Sequence, residues 1–301
     1  FKFSKKEKIK LFFALVKKLF IGFRKSSYEY FKAYLVFPLI YGRLTKQNFQ
    51  DLLNKRKIAK QYLDNGILVR KFSQKELDLL CKELIKKNIF INEINTYNDP
   101  RFHIRLTSQN YPDLVNLIKN ILKNHHLDEI SKLQLRRKKV RLEELYLFIQ
   151  DTSKGWRDEI KELKDGSRTK TRYFHVDSSP KNKFTKFIIY LNDITDNNGP
   201  FEYVSKSHHL DQFPFSFLRR INHHARIQDV SSNSRKYFSL LPSFLQKKAE
   251  IGNDINNNDW KLDSKVYEGT AGTVILFNNS GLHRGGLNIS KRRITIHGGY
   301  R

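Results

Sequence analysis

Three side chains of the sequence have the types and the spacing of a metal site: His175, Asp177 and His283. On a β-strand residues i and i+2 point to the same side, so His175 and Asp177 can present an imidazole and a carboxylate to one point. His283 lies 106 positions after Asp177 (283 − 177), so the fold must bring it there from a distant strand. Two histidines and one carboxylate on one face of a metal ion leave the opposite face open, which is typical of non-haem Fe(II) oxygenases.

The remaining histidines are expected to be structural. Adjacent histidines on a strand point to opposite faces, so neither His208-His209 nor His223-His224 chelates one ion easily. His103 and His297 each lack a neighbouring acid. Because the chain has a single cysteine, Cys81, a thiolate-based structural zinc site is excluded. Leucines surround Cys81, which predicts a buried structural thiol.

The elements that must position these residues change in type along the chain. Apolar residues at helical spacing predict helices over 46–64 and 73–88 and one or two helices over 112–134. From about residue 143 the pattern becomes that of strands, at 145–149, 173–176, 184–191, 273–277 and 294–297. Short strands after N-terminal helices predict an α+β fold with a jelly-roll or β-barrel core and helical support.

Two regions are expected within this order. Residues 1–70 are predicted to form a basic amphipathic helical region, and residues 71–301 a jelly-roll domain with a lid-like insertion over 208–268. A helix within 1–35 could lie on an anionic membrane, and packing on the parent domain is the alternative. Its apolar run is far shorter than the roughly 20 residues that span a bilayer.

The charge of the chain points to anionic partners. Fifty-seven Lys and Arg against thirty Asp and Glu give a formal net charge of +27. Such a surface attracts nucleic acid, anionic lipid or phosphorylated small molecules, whereas a lysine-rich residue usage is the alternative explanation. The basic run 136–141 lacks interleaved aromatic residues for base stacking, so a nucleic-acid partner is not expected. The lone cysteine suits a reducing, cytoplasmic location, with peripheral membrane contact through 1–35 as a further expectation.

Two adjacent arginines, Arg292 and Arg293, are alternative candidates for binding a dicarboxylate. Arg293 comes ten residues after His283 (293 − 283) and could clamp the far end of a dicarboxylate bidentately. Strand alternation puts Arg292 on the side of apolar Ile294 and Arg293 on the side of Thr295. The polar side suits a cosubstrate pocket better, and Arg292 stays the alternative.

Several segments together resemble the phytanoyl-CoA dioxygenase (PhyH) superfamily of Fe(II)/2-oxoglutarate oxygenases over about residues 143–301. They are 175–177, 186–193, 198–204, 207–208, 272–277 and 281–286, with Arg293. The resemblance implies a double-stranded β-helix core with Fe(II) held by His175, Asp177 and His283. It also implies 2-oxoglutarate held by Arg293 and O₂ as the other cosubstrate.

The resemblance further implies hydroxylation of a small or carrier-bound organic substrate, anionic if the basic surface serves to collect it, with release of succinate and CO₂. Halogenating relatives have a small residue where Asp177 stands, so hydroxylation is favoured. The run Arg293–His297 lacks the pattern of AlkB-type demethylases, which speaks against base repair. Tyr190 could hydrogen-bond 2-oxoglutarate if its side chain points inward, and packing is the alternative. The competing function is a basic membrane- or nucleic-acid-binding protein with a vestigial oxygenase fold.

Overall fold

The computed structural model describes residues 49–87, 89, 101–135, 137–150, 176–177, 184–209, 243, 264–286, 288 and 291–301. The predicted helix within 1–35, most of the strand predicted at 173–176 and most of the insertion predicted at 208–268 lie outside these residues. No helix in the described part of the chain is long and apolar enough to cross a membrane.

The described residues form four helices and nine strands. In chain order these are α1 (Phe49–Asn65), β1 (Ile67–Lys71), α2 (Gln74–Lys86), β2 (Arg101–Arg105), α3 (Pro112–Asn124), α4 (Leu127–Leu135), β3 (Leu142–Gln150), β4 (Thr185–Tyr190), β5 (Phe201–Val204), β6 (Ser264–Tyr267), β7 (Thr273–Asn278), β8 (His283–Gly285) and β9 (Arg293–Tyr300). The helices predicted from apolar spacing are confirmed, with 112–134 divided into α3 and α4. The strands predicted at 145–149, 184–191, 273–277 and 294–297 are β3, β4, β7 and β9.

The strands pair into two antiparallel sheets. The large sheet has the order β1-β7-β4-β9-β3-β2, and the small sheet has the order β6-β5-β8. Neighbours in the sheets come from distant parts of the chain, as where β4 lies between β7 and β9. Helices pack on one face of the large sheet, and the small sheet packs on its other face. The α+β jelly roll predicted from the sequence is therefore confirmed.

Burial on both faces explains the sequences of the central strands. Strands β4 and β7 read as nearly continuous apolar runs, because one face of each packs on the helices and the other on the small sheet. On the helical side, Phe187 and Leu276 pack in the large apolar cluster. On the inner side, Ile188 and Phe277 pack against Phe201 of β5.

The sequence of α2 determines where this helix begins and which of its faces is buried. Helix α2 begins at a capping box in which Ser73 and Glu76 satisfy each other's backbone N–H groups. Leu77, Leu80 and Leu84 recur along one face of this helix and are buried.

The predicted boundary between residues 70 and 71 falls inside β1. All five residues of β1 pair with β7 in the large sheet, and Tyr62 of α1 is buried in the large apolar cluster. Helix α1 and strand β1 therefore pack together with the large sheet, and the division at residue 70 stays a prediction. Strand β6 likewise lies within the segment predicted as an insertion, although it pairs with β5 as part of the small sheet.

A pair of adjacent leucines tests the packing of α2. Leu80 is 0% exposed and Leu79 is 45% exposed. Truncation of a buried leucine leaves a cavity, so Leu80→Ala is expected to lower the free energy of unfolding by about 2–5 kcal/mol. Leu79→Ala should lower it by less than about 1 kcal/mol, since surface substitutions have small effects. Urea denaturation followed by circular dichroism measures both, and equal losses in the two variants would contradict the packing of this helix.

Candidate functional site

Two of the three predicted metal ligands meet at one end of the inner face of the sheets. The Nε2 atom of His283 lies 3.1 Å from Oδ2 of Asp177. The backbone N–H of Asp177 donates to the carbonyl of Asn279, 2.9 Å away, which ties residue 177 to the loop before β8. His175 lies outside the described residues. Within those residues no group of three histidine, cysteine or acidic side chains could hold a metal ion.

The loop before His283 is held by the serine of the Ser207-His208 motif. The Ser207 hydroxyl accepts a hydrogen bond from the N–H of Leu282 at 2.7 Å and donates to the carbonyl of Val204 at 2.6 Å. Val204 also donates its own N–H to the carbonyl of Leu282 at 2.9 Å. The ring of His283 packs against Phe277, with the ring centroids 5.0 Å apart. Strands β5 and β7 thus fix the position and the tilt of the His283 imidazole.

Two glycines allow β5 and β8 to approach at the turn before β5. Gly199 has φ +75°, and a Cβ atom there would lie 2.5 Å from the carbonyl oxygen of Gly286. The N–H of Gly286 donates to the carbonyl of Pro200 at 2.8 Å. A residue with a side chain would be strained at position 199 and would push the two segments apart. This close approach gives a physical reason for glycine at both positions.

The hydrogen bonds of His283 decide which ring nitrogen can bind a metal. Its Nδ1 atom lies 2.9 Å from the carbonyl oxygen of Gly281, which can only accept, so Nδ1 carries the hydrogen. Nε2 therefore faces Oδ2 of Asp177 and is the ring nitrogen that can bind a metal there. A backbone carbonyl that fixes the tautomer in this way is the usual partner of a metal-binding histidine.

The distance between these two acceptors fits a metal ion. Two electron-rich atoms 3.1 Å apart need a cation between them, either a proton or a metal. Ligands at right angles on a divalent metal, each about 2.1 Å from it, lie about 3 Å apart. Nitrogen and carboxylate oxygen together suit Fe(II). The residues present therefore fit the iron that the sequence predicts.

Arg293 is a partly buried cation on the same inner face. Its two terminal nitrogens donate to the carbonyl of Gly199 and to the side-chain oxygen of Gln150. Its Nε atom is buried and has no hydrogen-bond partner among the described residues, which also place no carboxylate within ion-pair distance. Burial lowers the pKa of Arg293 to about 10, so the guanidinium stays charged at neutral pH.

Arg292 and Tyr190, the other residues predicted as possible contacts of 2-oxoglutarate, lie in different surroundings from Arg293. Arg292 is exposed, whereas Arg293 is partly buried on the inner face. The hydroxyl of Tyr190 is buried on that face, where it donates to the carbonyl of Tyr267 at 2.8 Å and accepts from the N–H of Phe201 at 3.1 Å. Its hydrogen is therefore already used to join the two sheets. A bond from Tyr190 to 2-oxoglutarate stays a prediction that would require this contact to break.

Two further basic residues of the inner face were not predicted as site residues. The Nζ atom of Lys186 donates to Oδ2 of Asp177 at 2.6 Å. His297 lies nearby, and its pKa is lowered to about 3, first by burial and then by the positive charges of Arg293 and Lys186. Lys186 is the one charged residue within 184–191. That signal was present in the sequence.

His208 connects the same loop to α1. Its Nε2 atom bonds to the carbonyl of Leu63 at 2.9 Å, and its Nδ1 atom is buried without a partner among the described residues. A proton on Nδ1 would therefore have no acceptor in this part of the chain. Burial and, to a smaller extent, the neighbouring His209 lower the pKa of His208 to about 3.

Comparison with known proteins gives the following matches. Residues 168–295 match the family model of phytanoyl-CoA dioxygenase (PhyH). The non-heme alpha ketoglutarate dependent carbocyclase SnoK from nogalamycin biosynthesis is similar in structure, with 15% identity, 86% of each chain covered and a TM-score of 0.50. The epimerase SnoN from the same biosynthesis has 11% identity, covers 82% of this chain and 80% of its own, and has a TM-score of 0.49. EctD from S. alaskensis, solved with 2-oxoglutarate and 5-hydroxyectoine, has 14% identity, 88% and 80% coverage and a TM-score of 0.47. None of the curated proteins matches the sequence. At its low identity the likeness to SnoK is a likeness of fold, in agreement with the predicted jelly roll.

The neutral state of His208 predicts a loss of stability in acid. As the pH falls, the unfolded chain takes up a proton near the ordinary histidine pKa of about 6.5, whereas the folded chain does so only near 3. The stability contribution is therefore complete above about pH 6.5 and declines from there toward pH 3, by about 2 kcal/mol at pH 5.

A His208→Gln variant removes this titration and can keep the bond to Leu63. The difference in unfolding free energy between pH 7 and pH 5 should be about 2 kcal/mol smaller in this variant than in the wild type. Urea denaturation of the metal-free protein at both pH values measures the difference. The same pH dependence in both proteins would contradict a neutral His208.

Proposed function

We propose that this chain, whose residues 168–295 belong to the phytanoyl-CoA dioxygenase (PhyH) superfamily of iron- and 2-oxoglutarate-dependent oxygenases, hydroxylates a small organic molecule. In this proposal Fe(II) is held by His175, Asp177 and His283, and 2-oxoglutarate and O₂ are the cosubstrates. The products are the hydroxylated substrate, succinate and CO₂. The membrane- or nucleic-acid-binding alternative, inferred from charge, is supported neither by the family match nor by the fold.

One observation carries the proposal more than any other. His283 Nε2 and an oxygen of Asp177 lie 3.1 Å apart, although 106 positions separate the two residues in the chain. The hydrogen bond from Nδ1 to Gly281 directs Nε2 toward Asp177. The His283 side chain is 6% exposed, which limits the access of water to Nε2.

Arg293 supports a role for a dianionic cosubstrate. A guanidinium with a buried Nε atom and no carboxylate nearby in the described residues is costly, because burial of a charge is favourable only when the charge is paired. A distal carboxylate of 2-oxoglutarate would supply the missing charge and would accept bidentate hydrogen bonds. The bonds from its terminal nitrogens to Gly199 and Gln150 hold the guanidinium in place.

The contributions of the chain follow from these positions. Iron, when bound, supplies the activation of O₂ that the residues themselves cannot perform. Asp177 and His283 would hold the metal from one side, and Arg293 would set the direction of 2-oxoglutarate by binding its far end. The apolar contact between Phe277 and Phe201 closes the neighbouring part of the inner face against water. A substrate bound on the open side would then present one C–H bond to the metal.

Anaerobic titration tests the metal and cosubstrate site. Addition of Fe(II) and 2-oxoglutarate to the wild type is expected to produce the weak charge-transfer absorption of a chelated iron, and Asp177→Ala is expected to abolish it. Asp196→Ala is the matched control, because Asp196 is an exposed acid of the turn before β5. Absence of the band in the wild type, or its persistence in Asp177→Ala, would show that the site is assigned incorrectly.

Adjacent arginines allow a second test. Arg293→Met should weaken 2-oxoglutarate binding by about 2–4 kcal/mol, thirtyfold or more, because a buried charge–charge contact is lost. Arg292→Met should change the dissociation constant by less than about threefold, since exposed ion pairs contribute little. Titration calorimetry with Mn(II) in place of iron measures both constants without turnover. A larger effect at Arg292 would transfer the clamp to that residue.

A further inference from the structure

We propose that Lys186 is a specificity-determining residue that binds an anionic group of the substrate beside the metal-binding carboxylate. The inference rests on the proposed function and names the substrate class of the same site, namely small organic acids. The ammonium of Lys186 lies 2.6 Å from Oδ2 of Asp177, and its side chain is 33% exposed. It is thus both next to the reacting centre and open to an incoming molecule.

The register of β4 fixes the direction of Lys186. Residues 186 and 188 lie on the same face of the strand, and Ile188 packs in the cluster between the two sheets. Lys186 therefore points to the inner side of the jelly roll and not to the helices. Its partners across the sheet are Phe277 on β7 and Gly299 on β9. The ring of Phe184 occupies the space that a side chain at Gly299 would fill, since a Cβ atom there would lie 2.3 Å from it.

The contact with Asp177 does not satisfy Lys186 once a metal is bound. The ammonium and the Nε2 atom of His283 contact the same oxygen of Asp177. A metal about 2.1 Å from that oxygen would lie within about 5 Å of the ammonium. The carboxylate would then share its charge with a divalent cation, and two positive groups would be neighbours. An additional anion next to Lys186 removes this repulsion.

A count of charges leads to the same substrate class. Arg293 and Lys186 contribute +2 among the described residues of the site, Asp177 contributes −1, Fe(II) contributes +2, and 2-oxoglutarate contributes −2. The sum is +1 (2 − 1 + 2 − 2). Without Lys186 it would be zero. A substrate with one negative charge therefore neutralises the site, whereas a neutral substrate leaves a partly buried cation unpaired.

Aromatic rings line the inner face next to this cation. The ring of Phe148 lies 4.4 Å from that of His297 and 5.6 Å from that of His103, as measured between centroids. His297 pairs with Ile188, which lies two positions from Lys186 on the same face of β4, so the row of rings begins beside the lysine. Flat apolar groups pack well on such rings. Acids that carry an aromatic ring are therefore the appropriate probes.

Matched probe pairs test the preference for an anion. Phenylacetate is compared with phenylacetamide, and benzyl phosphate with benzyl alcohol, in calorimetric titrations of the protein loaded anaerobically with Fe(II) and 2-oxoglutarate. At least one anion should bind the wild type roughly tenfold more tightly than its neutral partner, as expected for a charge-assisted hydrogen bond. The carboxylate and phosphate pairs distinguish the two sources of negative charge.

Three variants identify the residue responsible. Lys186→Met should lose the preference, Lys186→Arg should keep most of it, and the exposed Lys119→Met should leave it unchanged. If no anion binds more tightly than its neutral partner, or if Lys186→Met retains the preference, the inference is wrong. Far-ultraviolet circular dichroism of each variant checks that the fold is intact.

The affinity for Mn(II) distinguishes the proposed role of Lys186 from a purely structural one. Because the ammonium repels the bound metal, Lys186→Met should bind Mn(II) several-fold more tightly than the wild type. The bound anion should strengthen Mn(II) binding to the wild type, and Mn(II) should strengthen anion binding by the same factor. Weaker Mn(II) binding in Lys186→Met would mean that Lys186 only orients Asp177, which overturns the inference.

The charge-transfer band shows whether the proposed function or only the proposed role of Lys186 is incorrect. If the band is absent in the wild type, the proposed function itself is incorrect. If the band forms in the wild type and in Lys186→Met while the anion preference is missing, only the role of Lys186 is incorrect.

Discussion

The structure depends on holding two electron-rich atoms, His283 Nε2 and Asp177 Oδ2, 3.1 Å apart. A proton or a metal ion between the two atoms makes this contact favourable, and the surrounding fold sets their separation. Ser207 fixes the backbone before His283, and the Asp177 N–H binds the carbonyl of Asn279. Hydrogen bonds beside the two sheets thus set the geometry in which a metal ion would be held.

Positive charge accumulates on the inner face for a related reason. Arg293 and Lys186 both extend from central strands of the large sheet, and within the described residues Asp177 is the only carboxylate paired with either. Cations in such a place are less stable than cations at the surface, because they lose hydration without gaining a full partner. The fold can maintain them because helices and apolar side chains stabilise the opposite face of the same strands. The helical face of the large sheet thus supplies stability, and its inner face carries the cations that would bind anions.

The sequence predicts the long central elements well and the short ones poorly. Strands β4 and β7 each contain a run of four apolar residues, 187–190 and 274–277, which local pattern alone identifies. The three- to five-residue strands β1, β2, β5, β6 and β8 were not predicted, because their own patterns are too short. The same limit applies to Lys186: its charge is visible in the sequence, but the face to which it points depends on which side of β4 the helices cover.

Side chains along β9 alternate between the inner face and the helical face of the large sheet. This alternation lets the substrate preference change while the metal site stays the same. Arg293, Thr295 and His297 face inward and Ile296 packs in the cluster on the helical face, so each inward position can change without disturbing the helical core. The proposed metal and 2-oxoglutarate contacts come from His175, Asp177, His283 and Arg293, whereas Lys186 lies on an inward position of β4 that the metal chemistry does not require. A change at such a position alters the charge offered to a substrate and leaves the ligands of the metal in place. Substrate choice in this architecture can therefore be decided by a single side chain of a central strand.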